Sequence, residues 1–164
     1  MWQVWLGHSS DVAHYVQRRF GQRSVAMLFM DHRGSLFHED LETFEELGLF
    51  KEGAMVVADN VLKPGAPDFL WQVRHAYETK LLKVPEFGLG HQVLHDWVAV
   101  CRSKPYLHKP PTPPEGLHAL ARQCDALRRR SLKGQLSSEA RKSFKHFKSL
   151  RLKTYFLDIF RDIQ

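Results

Sequence analysis

Two short apolar runs, each followed directly by an aspartate, constrain the fold of this chain more than any other feature. Residues 25–30 read Val-Ala-Met-Leu-Phe-Met and precede Asp31, and residues 54–58 read Ala-Met-Val-Val-Ala and precede Asp59. Runs of five or six apolar residues are too short for typical helices, and their continuous apolarity is typical of strands buried on both faces of a parallel sheet. The sequence therefore predicts two buried parallel strands, each with an acid at its carboxyl end.

The segment between the two runs has a helical pattern. Apolar residues recur at helical spacing from Leu41 to Leu47, and Gly48 suits the end of a helix. A strand, a helix and a second strand form a βαβ unit, whose right-handed crossover brings both strand ends to one edge of the sheet. On neighbouring strands, roughly 4.8 Å apart, Asp31 and Asp59 could share one small cation.

Asn60, directly after Asp59, would add a neutral oxygen ligand to such a site. Two carboxylates, an amide oxygen and room for water or substrate oxygens suit Mg2+ better than zinc, because zinc prefers cysteine and histidine. The alternative is that acids at strand ends only cap turns or helices, which is common. The residues alone leave both interpretations open.

The remaining elements follow from periodicity and from Pro and Gly positions. We expect Ser10 to cap a helix that ends at Phe20. Further predicted helices are at residues 67–76, 117–132 and 138–163, and predicted strands are at 2–6, 77–84 and 93–101, the last two as an antiparallel pair. Residues 49–53 are predicted to be a connection between elements.

Composition and charge limit the class of protein. The chain has 164 residues, of which 43% are hydrophobic, so one domain with a real core is expected. No run approaches the roughly 20 apolar residues of a membrane span, and the first residues do not resemble a signal peptide. With only Cys101 and Cys124, a reducing, cytoplasmic location is expected.

The net charge of +6 is unevenly distributed along the chain. Residues 1–101 carry 9 Lys and Arg against 13 Asp and Glu, whereas residues 102–164 carry 15 against 5. The two parts are joined by a Pro-rich segment that is typical of a linker. The basic tail could pack on its own domain, bind a protein partner or an anionic membrane surface, or bind nucleic acid, which is the least favoured because no groove-reading motif is present.

Four segments of the first part of the chain form a more specific pattern. They are Met-Leu-Phe-Met-Asp-His at 27–32, Glu-Glu-Leu-Gly-Leu at 45–49, Ala-Asp-Asn-Val at 58–61 and Pro-Gly-Ala-Pro-Asp-Phe-Leu at 64–70. These motifs resemble the metal-binding half of the catechol O-methyltransferases, and the interval from Asp31 to Asp59 matches without a gap. The resemblance covers about residues 2–101 and does not include the linker or the basic tail.

This resemblance implies transfer of a methyl group from S-adenosylmethionine to one hydroxyl of a catechol held on Mg2+. It also implies that Asp31, Asp59 and Asn60 are the metal ligands. In such enzymes Mg2+ bound to both catechol oxygens lowers the pKa of the hydroxyl and fixes the nucleophile in line with the sulfonium methyl.

The remaining site residues are also implied by the resemblance. His32 corresponds to a residue beside the adenine, and Ser9 and Ser10 correspond to a turn that contacts the adenine edge, although helix capping is favoured for these two serines. Pro64 corresponds to one wall of the catechol cleft. Glu86 corresponds to the acid that holds the second catechol hydroxyl, with a surface carboxylate as the alternative.

One departure from the family concerns the general base. The family has a lysine three positions after the first metal-binding aspartate, whereas this chain has Gly34, preceded by Arg33. Glycine cannot accept a proton, and the guanidinium of arginine stays protonated. Lys63 or metal-bound hydroxide would have to substitute, and loss of a positioned base typically costs about 10²- to 10⁴-fold in rate.

A second departure concerns the amino-terminal part of the fold. Family members begin with a strand, a glycine-rich turn and a second strand that ends in an acid for the ribose hydroxyls, and nothing before Trp2 matches them. In the implied strand order 3-2-1-4-5-7-6, residues 2–6 would be the third strand, separated by a two-strand gap from residues 25–30. We therefore expect a truncated gene model, a split product or a degenerate copy.

The expected fold class is α/β, with a partial Rossmann-like (class I methyltransferase) sheet, helices on both faces and a basic α-helical extension. The expected division is a methyltransferase-like domain at 1–104, a linker at 105–115 and the extension at 116–164. The expected function is Mg2+-dependent methylation of a small-molecule catechol by S-adenosylmethionine. The alternative is a non-catalytic remnant whose tail binds a protein partner or an anionic surface.

Overall fold

The computed structural model describes residues 2–86, 94–104 and 110–132 as a mixed α/β fold. Four helices are present in this part of the chain: α1 (Ser9–Phe20), α2 (Phe37–Glu46), α3 (Pro67–Ala76) and α4 (Leu117–Leu132). The strands are β1 (Val25–Met30), β2 (Phe50–Ala58), β3 (Tyr77–Glu86) and β4 (Leu94–Ser103). A 3-10 turn (Gly34–Leu36) precedes α2, and a π-helical segment (Val61–Gly65) follows β2. The helix predicted at 138–163 lies outside the described residues.

The four strands form one sheet in the order β1-β2-β4-β3. β1 and β2 are parallel, whereas β4 is antiparallel to both β2 and β3. This arrangement matches the 4-5-7-6 part of the expected strand order. The predicted βαβ unit, the antiparallel pair and the partial Rossmann-like fold are therefore confirmed.

The larger of two buried clusters in the described residues joins the sheet to α2 and α3. Its fully buried side chains come from strands and helices alike: Met30, Phe37, Leu41, Val56, Ala58, Phe69, Leu70, Val73 and Ala99. A smaller cluster of Ala13, Phe44 and Leu49 joins α1 to α2. Full burial of a large apolar side chain stabilises a fold by about 1.5–3 kcal/mol. Packing of this kind fixes the strand ends that carry the candidate site.

One face of β1 is not covered by the described part of the chain. Met30 is buried, but Met27 and Phe29 are 53% and 56% exposed. Successive side chains of a strand point to opposite faces, so these two residues mark the open face. The prediction that β1 is buried on both faces is therefore wrong for the residues that the structure describes.

The predicted strand at residues 2–6 is also wrong, because this segment has no regular secondary structure. Trp2 and Leu6 are 86% and 97% exposed. Only Trp5 makes ring contacts, with its centroid 4.7 Å from Tyr15 and 6.2 Å from Phe20. A strand needs a neighbour for its N–H and C=O groups, and β1 does not pair with this segment.

Two local predictions also need correction. The connection expected at residues 49–53 is mostly the first part of β2, where a register shift follows the pairing of Val25 with Phe50 and Gly53 has a φ of 69°. The residue before α1 is His8, with no side-chain cap. Ser10 is therefore not the predicted cap but lies in the first turn. The predicted helix end at Gly48, which has a φ of 63°, is confirmed.

None of the described helices is long and apolar enough to cross a lipid bilayer.

Candidate functional site

Asp31 and Asp59 lie at the carboxyl ends of two neighbouring parallel strands. The register pairs Met30 with Ala58, and the Asp59 N–H donates to the Met30 carbonyl oxygen at 2.9 Å. The two aspartates are therefore level at one edge of the sheet, on strands about 4.8 Å apart. Asp31 is exposed and Asp59 is half-buried, so this edge is open to solvent. The structure thus brings the two predicted acids to the same place.

Asn60 is held by two hydrogen bonds at this edge. Its backbone is left-handed, with a φ of 56°, a conformation that asparagine tolerates better than most residues. Its N–H donates to Asp59 Oδ1 at 2.8 Å, and its side-chain Nδ2 donates to Asp96 Oδ2. Asp96 is buried and also accepts the Trp97 N–H at 2.7 Å.

The oxygen donors at this edge fit a small hard cation. Asp31 and Asp59 supply charge, and the amide of Asn60 supplies a neutral oxygen, the ligand types that Mg2+ prefers. Within the described ranges, no group of three or more His, Cys, Asp or Glu side chains could hold a metal ion. The fit therefore depends on two carboxylates and an amide, which leaves positions for water or substrate oxygens.

His32 and Ser9, two of the predicted adenine contacts, are joined through Asp40. Ser9 Oγ donates to Asp40 Oδ1 at 2.5 Å, and His32 Nε2 lies 2.6 Å from Asp40 Oδ2. The His32 ring also packs edge-on against Phe37, with centroids 4.9 Å apart. Since the carboxylate lies between the hydroxyl and the imidazole, this is not a nucleophile activated by a base. The favoured capping role of Ser9 is wrong, and Ser10 is exposed and apart from this network.

The segment after β2 carries the other candidates. Lys63 and Pro64 lie in the π-helical segment, both half-buried, and the Lys63 N–H donates to the Asn60 carbonyl oxygen at 3.2 Å. Both residues are therefore within one short turn of the predicted metal ligands. Glu86 is the last residue of β3, and its side chain lies outside the described part of the structure.

Gly34 allows two loops of the site to approach closely. A Cβ at this position would lie 3.2 Å from the Gly65 carbonyl oxygen and 3.3 Å from Ala66 Cβ. These distances are tighter than ordinary van der Waals contact, so a side chain would push the two loops apart. A lysine at this position, where the family has one, would therefore meet the same steric obstacle in this chain.

Helix α4 packs against the same two loops through an unpredicted ion pair. Arg33 Nε and Nη2 donate to the two oxygens of Asp125, each at 2.7 Å, and Ser35 Oγ adds a bond at 3.1 Å. Arg129 lies 2.6 Å from the same carboxylate. Burial would raise the pKa of Asp125, but the hydrogen bonds from Arg33, Arg129 and Ser35 outweigh it and lower the pKa. Residues 117–132 thus pack on their own domain.

Three acids of these networks were missed from the sequence: Asp40, Asp96 and Asp125. Two of them left a signal, because each interrupts the apolar face of a helix. Asp40 lies between the buried Phe37 and Leu41, and Asp125 follows the buried Ala121 by four residues. An acid on a buried face needs a partner, so periodicity could have identified both.

The two cysteines do not extend the site. Burial raises the pKa of both Cys101 and Cys124 to about 12. A thiol with such a pKa stays protonated at neutral pH and is a poor nucleophile or metal ligand.

The sequence is similar to known methyltransferases over part of its length. Catechol O-methyltransferase from Bos taurus is 41% identical over 71 residues, which are 43% of this chain and 26% of that protein. The Sus scrofa protein of the same name is 38% identical over 71 residues, 43% of this chain and 38% of that protein. Transmembrane O-methyltransferase from Homo sapiens is 34% identical over 70 residues, 43% of this chain and 24% of that protein.

No protein-family model matches the chain. The matched part spans between about a quarter and two fifths of the length of these relatives. The matched segment, which covers 43% of this chain, is thus related in sequence to the catechol O-methyltransferases.

Proposed function

We propose that this chain is a catechol O-methyltransferase-like enzyme, whose described residues bind the metal and the catechol. The reaction would transfer the methyl group of S-adenosylmethionine to one hydroxyl of an ortho-dihydroxy aromatic. The observation that carries the proposal is the pair of level aspartates at the ends of β1 and β2, followed by Asn60. The names of the relatives support the substrate class.

In this proposal Asp31, Asp59 and Asn60 hold Mg2+. Bound Mg2+ would supply a Lewis acid that lowers the pKa of a catechol hydroxyl and orients it. Asp59 Oδ1 accepts the Asn60 N–H at 2.8 Å, which supports a fixed placement of these two residues that would hold the cation. The left-handed backbone of Asn60 supports a fixed position for its side chain.

His32 and Ser9 would contact the adenine of S-adenosylmethionine. Asp40 accepts a hydrogen bond from Ser9 and lies within 2.6 Å of His32 Nε2, and Phe37 packs on the imidazole. These contacts support a fixed plane for the His32 ring, as adenine packing requires. Ser10 is exposed and takes no part in this network, and its contact with the adenine stays a prediction.

Lys63, Glu86 and Pro64 would act on the substrate. Lys63, three residues after Asn60 in the π-helical segment, is the candidate for the proton acceptor that Gly34 cannot be. Pro64 would form one wall of the catechol cleft. Glu86 would accept a hydrogen bond from the second catechol hydroxyl.

The test is methyl transfer by the full chain with labelled S-adenosylmethionine, 3,4-dihydroxybenzoate and Mg2+. We expect a methylated product that disappears with a chelator and in Asp59→Ala. The matched control is Asp11→Ala, which removes an exposed acid in the first turn of α1 and should leave the rate unchanged.

Two results would refute the proposed function. One is no methylated product in the presence of Mg2+. The other is product formation that is equally fast with chelator or in Asp59→Ala, because the two aspartates would then have no part in it.

The similarity to methyltransferases does not favour the alternative of a non-catalytic remnant. Most of the basic tail that would recruit a protein partner or an anionic surface lies outside the described residues. Partner binding, a cytoplasmic location and the division at residues 104 and 115 remain predictions.

A further inference from the structure

Asn60 has an orientation problem that the two aspartates do not share. Either oxygen of a carboxylate can bind a cation, but an amide has one oxygen and one NH2 group. If the amide of Asn60 turned over, it would present two donors to the cation and oppose binding. A cation site that uses Asn60 therefore needs something that fixes the amide.

Asp96 lies where it can fix the orientation of the Asn60 amide. It lies near the start of β4, which runs antiparallel to β2 with Ala58 paired to Ala99, so the start of β4 passes the carboxyl end of β2. Asp96 is only 7% exposed. Its Oδ2 accepts the hydrogen bond from Asn60 Nδ2, and its Oδ1 accepts the Trp97 N–H at 2.7 Å.

We propose that Asp96 is a positioning residue that fixes the amide of Asn60 with its oxygen toward the cation site, an inference that rests on the proposed function. An ionised carboxylate only accepts hydrogen bonds. The NH2 group must therefore face Asp96, and Asn60 Oδ1 points the other way. Carboxylates that hold metal ligands by hydrogen bonds commonly contribute 10- to 100-fold to metal affinity.

The role of Asp96 rests on its contact with Asn60, one of the proposed ligands. Its other oxygen accepts the Trp97 N–H, which helps to hold the carboxylate in place. Its negative charge also strengthens the attraction of this edge for a cation, since the interaction is weakly screened where the group is buried.

The test measures Mn2+ affinity of the full chain, counting free Mn2+ by electron paramagnetic resonance. Mn2+ prefers the same oxygen ligands as Mg2+. Asp96→Asn keeps the size of the side chain, but its oxygen would accept the Trp97 N–H and its NH2 group would face Asn60, which favours an Asn60 amide turned with its oxygen away from the cation. We expect about 10- to 100-fold weaker Mn2+ binding, with the variant still folded in the absence of metal.

An exchanged pair distinguishes positioning from a structural role. Combining Asn60→Asp with Asp96→Asn restores a donor–acceptor pair and gives the cation a carboxylate that needs no orientation. This double variant should bind Mn2+ within about threefold of the parent or tighter, whereas Asn60→Asp alone places two carboxylates in contact and should be destabilised.

The outcomes separate this inference from the proposed function. If Asp31→Asn weakens Mn2+ binding but Asp96→Asn stays within twofold of the parent, the role of Asp96 is refuted and the metal site stands. If the exchanged pair binds as weakly as Asp96→Asn, the positioning role is also refuted. If the parent binds no Mn2+, or Asp31→Asn binds as the parent does, the proposed metal site itself is refuted.

Discussion

Asp125 forms the charged contact between α4 and the rest of the domain. It is 8% exposed in its side chain and is paired with Arg33 and Arg129, which are 37% and 63% exposed. Because both arginines are substantially exposed, solvent screening reduces the strength of the pairs. We expect Asp125→Asn to lower the free energy of unfolding by about 1–2 kcal/mol at pH 7, measured by urea unfolding beside the control Asp11→Asn.

The difference in unfolding free energy between the parent and Asp125→Asn should depend on pH in a definite direction. The pKa of Asp125 is lowered in the folded state, so the ionised group stabilises the fold above its ordinary pKa of about 3.9. This stabilisation is lost as the pH falls through the folded pKa. The difference between parent and Asp125→Asn should therefore shrink between pH 5 and pH 2, and a difference that grows in acid would contradict the ion pair.

Lys63 is the residue on which proton transfer depends in the proposed reaction. Lys63→Met should lower kcat by about 10²- to 10⁴-fold, because a general base typically contributes that much. Lys80→Met, at an exposed position of β3, is the matched control. An unchanged kcat in Lys63→Met would show that Lys63 is not the proton acceptor.

At the scale of elements, the fit of α4 against the π-helical segment depends on Gly65. This glycine has a φ of +114°, and a Cβ there would lie 3.0 Å from Cys124 Sγ. Gly116 also has a positive φ, of +91°, but a Cβ there would meet nothing within 4 Å. Gly65→Ala should therefore destabilise the fold by about 1–3 kcal/mol more than Gly116→Ala in thermal unfolding.

A second substitution checks the cause. Adding Cys124→Ala to Gly65→Ala removes the atom that the new methyl group would meet. In the Cys124→Ala background, Gly65→Ala should therefore lower the stability by less than it does in the parent. If the losses of unfolding free energy in the two single variants simply add in the double variant, contact with Cys124 does not explain the effect of Gly65→Ala.

Element boundaries were predicted from sequence where the signal was local. Pro67 and the helical periodicity fixed α3, Gly48 fixed the end of α2, and α4 has the predicted bounds. The strand at residues 2–6 failed because a strand depends on a neighbour elsewhere in the sheet, which periodicity does not reveal. The acids that join elements, such as Asp96, were missed because their partners are distant in sequence.

At the scale of the whole molecule, the two edges of the sheet differ. Among the described strands, β1 forms one edge of the sheet. It contains no charged residue, and its Met27 and Phe29 are exposed in the described structure. β3 lies at the other edge and carries exposed Lys80 and Lys83. Charged side chains on an edge strand oppose pairing with other chains, so self-association should occur through β1.

Self-association through β1 can be measured by sedimentation velocity over a range of protein concentrations. Met27→Lys combined with Phe29→Lys should reduce association, since both substitutions place charge on the open face. Leu82→Lys, on β3, is the matched control and should change association less. Equal effects at both edges would contradict the assignment to β1.

The open face of β1 also explains why its apolar run misled the sequence prediction. A continuous apolar run is typical of a strand that is covered on both faces, yet only Val25, Leu28 and Met30 of β1 are buried or half-buried in the described structure. The prediction that Asp31 and Asp59 lie level is unaffected, because the register that places them involves only β1 and β2.

The most direct test is anomalous diffraction from a crystal of the full chain soaked with Mn2+. A shared cation site predicts one peak about 2 Å from a carboxylate oxygen of Asp31 and from one of Asp59, with Asn60 Oδ1 beside it. A peak that contacts only one of the two aspartates, or no peak at this edge of the sheet, would contradict the account.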